Sequence, residues 1–254
     1  HNGRRRQRQM CIRDRSRVPD LQKTKFVPGY DFVDDRTLVT DDNGHGTHVA
    51  GTIAQATNNN YGVAGIAYEA SIMPLKVLSA NGGGTVSDIA ESIKFAADNG
   101  ADIINMSLGG GGESQIMKEA INYAHNKGVV IVAAVGNANQ NSASYPARYP
   151  HVFGVSATDP TGEKAPYSNF GAGVDISAPG GSTSDKNEAG GILQETINPE
   201  NGKSVFASFQ GTSMASPHVA GVAALVKASG IEDPEEITNI IKKSARAVKE
   251  DPLN

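Results

Sequence analysis

The sequence predicts a single α/β domain with a mostly parallel central sheet and helices on both faces. Three observations predict it. From Val18 onward, short apolar runs rich in β-branched residues alternate with amphipathic stretches, the order that parallel strands joined by crossover helices require. The chain has 254 residues, 38% hydrophobic and 20% charged, enough for one large core and too apolar for compositional disorder. Its 29 glycines suit many tight turns and close backbone approaches.

Each element has its own reason. The runs at 72–78, 102–107, 129–135, 152–157 and 174–178 read as buried strands, being short, apolar and β-branched. Between the first two, Val86, Ile89, Ala90, Ile93, Ala96 and Ala97 recur at helical spacing behind Thr85 and Asp88, which resemble a capping box. A second helix covers 114–127 and stops at Gly128. Towards the end, Asp233 supplies an N-cap, Pro234 the first helical position and Glu236 the third, with Ile237, Ile240 and Ile241 on one face. The polar stretch 180–203 reads as an irregular surface loop. No repeat or linker divides residues 18–254.

Charge is distributed unevenly. Residues 1–17 hold seven of the ten arginines against one acid, Asp14, a net +6 that leaves −10 for residues 18–254. A basic head can be a polyanion-binding arm. No aromatic residue interleaves these arginines, and no apolar run follows them, so residues 1–17 read as a disordered or extraneous segment with no nucleic-acid partner. The longest apolar runs fall far short of the ~20 residues of a membrane span. One cysteine, Cys11, excludes an internal disulfide framework and a cysteine-based zinc site.

Three segments carry candidate chemistry. Residues 41–51 contain His45-Gly46-Thr47-His48; a zinc-protease helix would have glutamate where Gly46 stands, so this pair does not read as a metal site. Residues 211–221 place Ser213 ahead of small, helix-compatible residues, where a helix N-terminus favours developing negative charge. Residues 132–137 form an apolar strand ending in Gly136-Asn137, and an amide at the C-terminal edge of a parallel strand can donate to an oxyanion. Taken singly, each is also readable as a packed helix or a turn.

Together and in this order, the segments resemble the subtilisin-like serine proteases, the subtilase family (peptidase family S8). HGTHVAG at 45–51, SLGG at 107–110, GN at 136–137, SAPGG at 177–181 and GTSMASPHVAG at 211–221 carry the resemblance, which runs from about Pro19 to the C-terminus. It implies the three-layer subtilisin-like fold and a serine endopeptidase acting on extended polypeptide segments. His45 would be the general base, Ser213 the nucleophile and Asn137 an oxyanion donor beside the Ser213 backbone N–H. His48 would be a packed structural residue. Ser107, Leu108 and Gly109 would pair with one side of the substrate and Gly82, Gly83 and Gly84 with the other, by strand addition. Ser144 would floor the primary specificity pocket, leaving room for a large apolar side chain. A structural Ca²⁺ would be held by the Asp20 carboxylate, the Asn59 amide and the carbonyls of Thr57, Tyr61 and Val63. The resemblance further implies a secreted, extracellular monomer made with a propeptide, and no catalytic cofactor.

The chain also departs from the family. The family's domain begins with a buried strand ending in Asp-Thr-Gly, whose aspartate completes the triad. The matching position is Cys11; Asp14, the one acid nearby, is three residues out of register. After Asp251-Pro252-Leu253-Asn254 the family usually continues. Residues 18–254 therefore read as a catalytic domain without its first strand and its C-terminal end, and the 254-residue chain as nearly inactive. Two other classes compete. A hydrolase of the Gly-x-Ser-x-Gly type would need glycine where Ala215 stands. The remaining alternative is a non-catalytic subtilase-like fragment that binds peptides.

Overall fold

The structure, a computed structural model, describes residues 18–183 and 188–247. The readings of the basic segment 1–17, with Cys11 and Asp14, and of the tail at 251–254 lie outside the described residues. Ten strands and five α-helices are described, besides two short 3₁₀ turns: β1 (Lys25–Phe26), β2 (Tyr30–Asp31), α1 (His45–Ala54), β3 (Ser71–Ile72), β4 (Leu75–Lys76), α2 (Val86–Asp98), β5 (Ile103–Met106), α3 (Gln115–Asn126), β6 (Val130–Ala134), β7 (Val152–Thr158), β8 (Ile176–Pro179), β9 (Ile192–Ile197), β10 (Ser204–Phe209), α4 (Thr212–Ala228) and α5 (Pro234–Ser244).

Strands β5, β6, β7 and β8 lie side by side, all parallel. Their alternation sorts side chains into two cores. Ile104, Met106, Ile131, Ala133 and Val135 pack against Ile93 and Ala97 of α2 and Ile121 of α3. Ile103, Val130, Val132, Phe153 and Val155 pack against Ala220 and Ala223 of α4 and Ile237 and Ile241 of α5. Both faces of the sheet are thereby covered, which is why its strands are mostly apolar rather than alternating regularly with polar residues. The three layers expected from the sequence are present.

The predicted helices start where their caps stand. Thr85 Oγ1 accepts from the Asp88 N–H at 3.1 Å and Asp233 Oδ1 from the Glu236 N–H at 2.8 Å. The predicted strand at 72–78 forms as two short pieces separated by Pro74, which has no N–H for a ladder. They pair in parallel with β1 and β2. Among the described residues, β4 and β5 are not hydrogen-bonded to each other.

One expectation is corrected. The stretch 180–203 is not an irregular loop throughout, because it contains β9, paired antiparallel with β10. Its inward residues are polar, which hid it from an apolar-pattern reading. Gln194, Glu195 and Thr196 are buried and bond to the segment around α1: Gln194 Nε2 donates to Thr52 Oγ1 at 3.2 Å, and Gln55 Nε2 donates to the Glu195 carbonyl at 2.8 Å.

Candidate active site

His45 opens α1, and the turn before it is fastened from both sides. Gly44 has φ 90°, and a Cβ there would stand 2.5 Å from the Ile197 carbonyl oxygen, so only glycine fits without strain. Buried Asp41 accepts from the N–H groups of Asn43 (2.9 Å) and Gly44 (2.8 Å) through Oδ1. Its Oδ2 accepts from the Thr47 N–H (2.8 Å) and hydroxyl (2.6 Å). A carboxylate here satisfies the free donors of the first turn and meets the positive end of the helix dipole. The half-buried His45 ring makes no hydrogen bond to a described residue. Burial holds its pKa below the ordinary imidazole value, against an opposing pull from the charge of Asp41.

Ser213 is the second residue of α4. Its hydroxyl donates a long bond, 3.4 Å, to the Ser107 carbonyl rather than to His45. A buried relay locks this end of α4 to the end of β5. Ser216 Oγ donates to Asn105 Oδ1 (2.6 Å), Asn105 Nδ2 donates to Ser107 Oγ (3.0 Å), and Ser107 Oγ donates to the Ser213 carbonyl (2.7 Å).

Asn137 follows β6 at the same end of the sheet. Its Oδ1 accepts from both the N–H and the hydroxyl of Thr212 at 2.9 Å. With the oxygen tied, the amide N–H₂ is left as the free end. The space it borders is shaped by Gly211. A Cβ on that residue would lie 3.5 Å from Asn137 Nδ2 and 3.7 Å from the Ser213 nitrogen. Asn137 Nδ2 and the Ser213 nitrogen therefore lie on the same side of Gly211.

Of the predicted substrate-contacting residues, Gly82, Ser107 and Leu108 line one cavity with His45, while Gly83, Gly84, Gly109 and Ser144 are not among its lining residues. A cavity of about 270 Å³ is lined by His45, Leu75, Val77, Gly82, Ser107 and Leu108, among others. Gly82 and Gly83 belong to an exposed turn closed by the Ser79 N–H donating to the Gly83 carbonyl at 2.9 Å, and exposed Gly84 follows it. Gly109 lies against Tyr145 and Ser144, its Cβ position 3.5 Å from the Tyr145 carbonyl oxygen. Ser144 Oγ accepts from Asn169 Nδ2 at 3.2 Å. His48 faces away from all of this. It is fully buried, stacks on Phe209 with centroids 4.3 Å apart, and places Nε2 between the carbonyls of Ile192 (2.9 Å) and Ala207 (3.1 Å).

The predicted calcium residues form a second, separate assembly beyond the other end of α1. Asp20 is fully buried, and its Oδ2 accepts from the Val63 N–H at 2.8 Å. A Cβ on Gly62 would lie 1.9 Å from that oxygen, so the loop closes on the carboxylate only because residue 62 is glycine. The carbonyls of Thr57, Tyr61 and Val63 accept no hydrogen bond from a described backbone group. Asn59 differs from the expected ligand geometry: its nitrogen donates to Asp20 Oδ1 at 2.8 Å, while its oxygen accepts from the Tyr61 N–H.

Sequence reading missed several residues that position the site. Asp41 stands four residues before His45, and an Asp three residues ahead of a glycine that starts a helix is a legible capping signal. Thr212, Asn105 and Ser216 act through contacts across 75 to 111 residues, which no local pattern announces. Glu195, buried in β9, accepts from the Asp20 N–H and the Tyr61 hydroxyl, both at 2.8 Å.

Residues 14–254 match the subtilase family. The chain is 44% identical over 215 residues to thermitase of Thermoactinomyces vulgaris, covering 85% of this chain and 72% of that protein. It is 43% identical over 265 residues to an extracellular protease of Xanthomonas campestris pv. campestris, covering 88% of this chain but only 44% of that protein. A solved protease structure from Pseudoalteromonas arctica superposes with a TM-score of 0.86 at 37% identity, over 95% of this chain and 82% of that one.

Proposed function

The chain belongs to the subtilase family of serine proteases, and from that premise we propose how its peptide-bond hydrolysis is divided among the residues at the end of the sheet. Ser213 is the nucleophile, His45 the general base, and Asn137 with the Ser213 N–H the oxyanion site. An extended substrate lies between the 107–109 edge and the 82–84 turn, held by main-chain pairing, with Ser144 beneath the side chain next to the cleaved bond. Ser213 Oγ attacks the carbonyl carbon as its proton passes to His45. The new oxyanion sits where the two N–H donors converge, and His45 returns the proton to the leaving amine. Water then enters, gives its proton to His45 and hydrolyses the acyl-enzyme.

The observation that supports this reading is the closeness of Asn137 Nδ2 and the Ser213 nitrogen to one point, the Cβ position of Gly211, with the Asn137 oxygen tied by Thr212 so that its N–H₂ is left to donate.

A third group must set the tautomer of His45 and stabilise its cation. Among the described residues no carboxylate bonds the His45 ring. Strands β4 and β5 border the cavity beside His45 without pairing to each other, so we place the arrival of such an acid between them. With no acid there, turnover is lower by about 3 × 10⁴, the figure for subtilisin, itself a subtilase. Asp20 and the 57–63 loop take Ca²⁺ once the Asn59 amide turns over, which exchanges its nitrogen for an oxygen ligand. Extracellular action as a monomer, after removal of a propeptide, completes the proposal. Among the described residues no helix is long and apolar enough to cross a membrane.

The test is labelling with a fluorophosphonate, which reacts only with an activated serine. The 254-residue chain is expected to label slowly and at Ser213 alone. Equal labelling of the Ser213→Ala variant would overturn the protease assignment of that residue. Rapid stoichiometric labelling would overturn the missing acid.

A further inference from the structure

Three side chains that the protease reading leaves unused meet at the opposite end of the sheet. His125 lies in the last turn of α3, His151 immediately before β7, and Glu235 in the first turn of α5. The His125 and His151 rings stack with centroids 3.8 Å apart and 19° between planes. His125 Nε2 is 3.9 Å from Glu235 Oε1. One ligand atom from each residue lies within 4.8 Å of the others. The group rims a cavity of about 180 Å³ whose wall includes Phe153, Asp175 and Lys242.

We propose that His125, His151 and Glu235 form a binding site for a borderline transition-metal dication, with Zn²⁺ as its simplest occupant. Two imidazoles and a carboxylate are the ligand set that suits Zn²⁺ and does not suit Ca²⁺ or Mg²⁺, which take oxygen. Ligand atoms about a tetrahedral Zn²⁺, each at ~2.0–2.1 Å from the ion, stand ~3.4 Å apart. The present ligand atoms lie within 4.8 Å of one another, and the exposed His151 and Glu235 side chains have room to turn and close that gap.

The two rings stack on each other, and neither hydrogen-bonds a described residue. His151 has a left-handed backbone, φ 66°, a region in which histidine, like asparagine and aspartate, is enriched. The nearby Asp175 and Lys242 are committed to each other at 2.6 Å, so they neither fill nor repel the position.

The three ligands come from elements on both faces of the sheet, so a bound ion would clamp α5 to α3 and to the start of β7. His151 precedes its strand whereas Ser107 and Asn137 follow theirs, and the strands are parallel. The clamp is therefore remote from Ser213 and acts on stability.

The experiment uses the full chain carrying Ser213→Ala to prevent self-digestion, stripped with chelator and titrated with ZnCl₂ by calorimetry and by thermal melting. One equivalent is expected to bind in the micromolar range and raise Tm, with CaCl₂ and MgCl₂ giving no competition at this site. His151→Ala and Glu235→Gln are each expected to weaken binding at least tenfold and abolish the Tm rise. In the Ser213 background the same two changes should leave fluorophosphonate labelling unchanged. Glu235→Gln is a surface change, so its result stands even if His151→Ala folds poorly. Zinc affinity unaffected by either change, or no binding below about 1 mM, would overturn the proposal.

Discussion

Asn137 and Gly211 carry the sharpest consequences for single side chains. The Asn137 amide has its oxygen fixed by Thr212 and its N–H₂ beside the Ser213 N–H, so truncation removes a donor made useful only when the oxyanion forms. Asn137→Ala is expected to lower kcat about 10²–10³-fold with little change in KM, measured on a peptide substrate; the range comes from subtilisin, a member of this family. Gly211→Ala should be at least as damaging for a different reason. Its methyl would stand 3.5 Å from Asn137 Nδ2 and 3.7 Å from the Ser213 nitrogen, against both donors, and its φ of 148° is one that alanine rarely takes. Thr212→Val leaves the backbone N–H bond and removes the hydroxyl bond, a net loss of about 1–1.5 kcal/mol, so a drop near tenfold is expected. A Thr212→Val enzyme as slow as Asn137→Ala would mean that the hydroxyl itself touches the reacting atoms. His45, Ser213 and Asn137 could be nominated from the sequence because each sits in a contiguous motif. Thr212 was not singled out, because its role depends on an amide 75 residues away.

At the scale of an element, α1 joins two assemblies, with His45 at its start and the Asp20 loop beyond its end. Asp41 receives three backbone N–H groups and one hydroxyl before and within its first turn. Asp41→Ala strands those buried donors and is expected to cost about 2 kcal/mol in chemical denaturation. Asp41→Asn, which keeps an acceptor, should cost less than half of that. The loop beyond the other end of α1 is predicted to respond to calcium. Chelation should lower Tm, and the shift should vanish in Asp20→Asn, where the ligand charge is gone. A chelator effect of equal size in Asp20→Asn would place the ion elsewhere. Elements with an apolar period, such as α2, β5 and β6, were readable in advance because burial alone dictates their pattern. β9 was not, since Gln194, Glu195 and Thr196 are buried polar residues that hydrogen-bond the α1 region, Gln194 Nε2 donating to Thr52 and the Glu195 carbonyl accepting from Gln55, instead of making apolar contact.

For the whole molecule, burial of ionisable groups defines a pH window of stability. His48 is fully enclosed between α1 and the β9–β10 hairpin, and desolvation lowers its pKa to about 4 despite two carbonyls at Nε2. The unfolded chain binds that proton from about pH 6.5 downward and the folded chain only near pH 4. Stability is therefore intact above about pH 6.5 and falls as pH drops to 4, by about 3 kcal/mol from this residue. His45 and His218, also lowered by burial, act in the same direction. At the alkaline end Tyr167 reverses the sign. Its hydroxyl donates to the Gly180 and Gly181 carbonyls, and burial raises its pKa to about 12. That contribution is complete below the unfolded value near 10 and is lost as pH climbs towards 12. Denaturation free energy against pH should thus show a plateau between about 6.5 and 10, with a fall on each side. The plateau coincides with the range in which His45, its own pKa held below the ordinary imidazole value, is neutral and able to take the Ser213 proton. His48→Gln keeps a donor for the two carbonyls and cannot titrate, so whatever its absolute stability, its acid slope between pH 4 and 6.5 should flatten. An unchanged slope in that variant would show that the acid limb belongs to other groups.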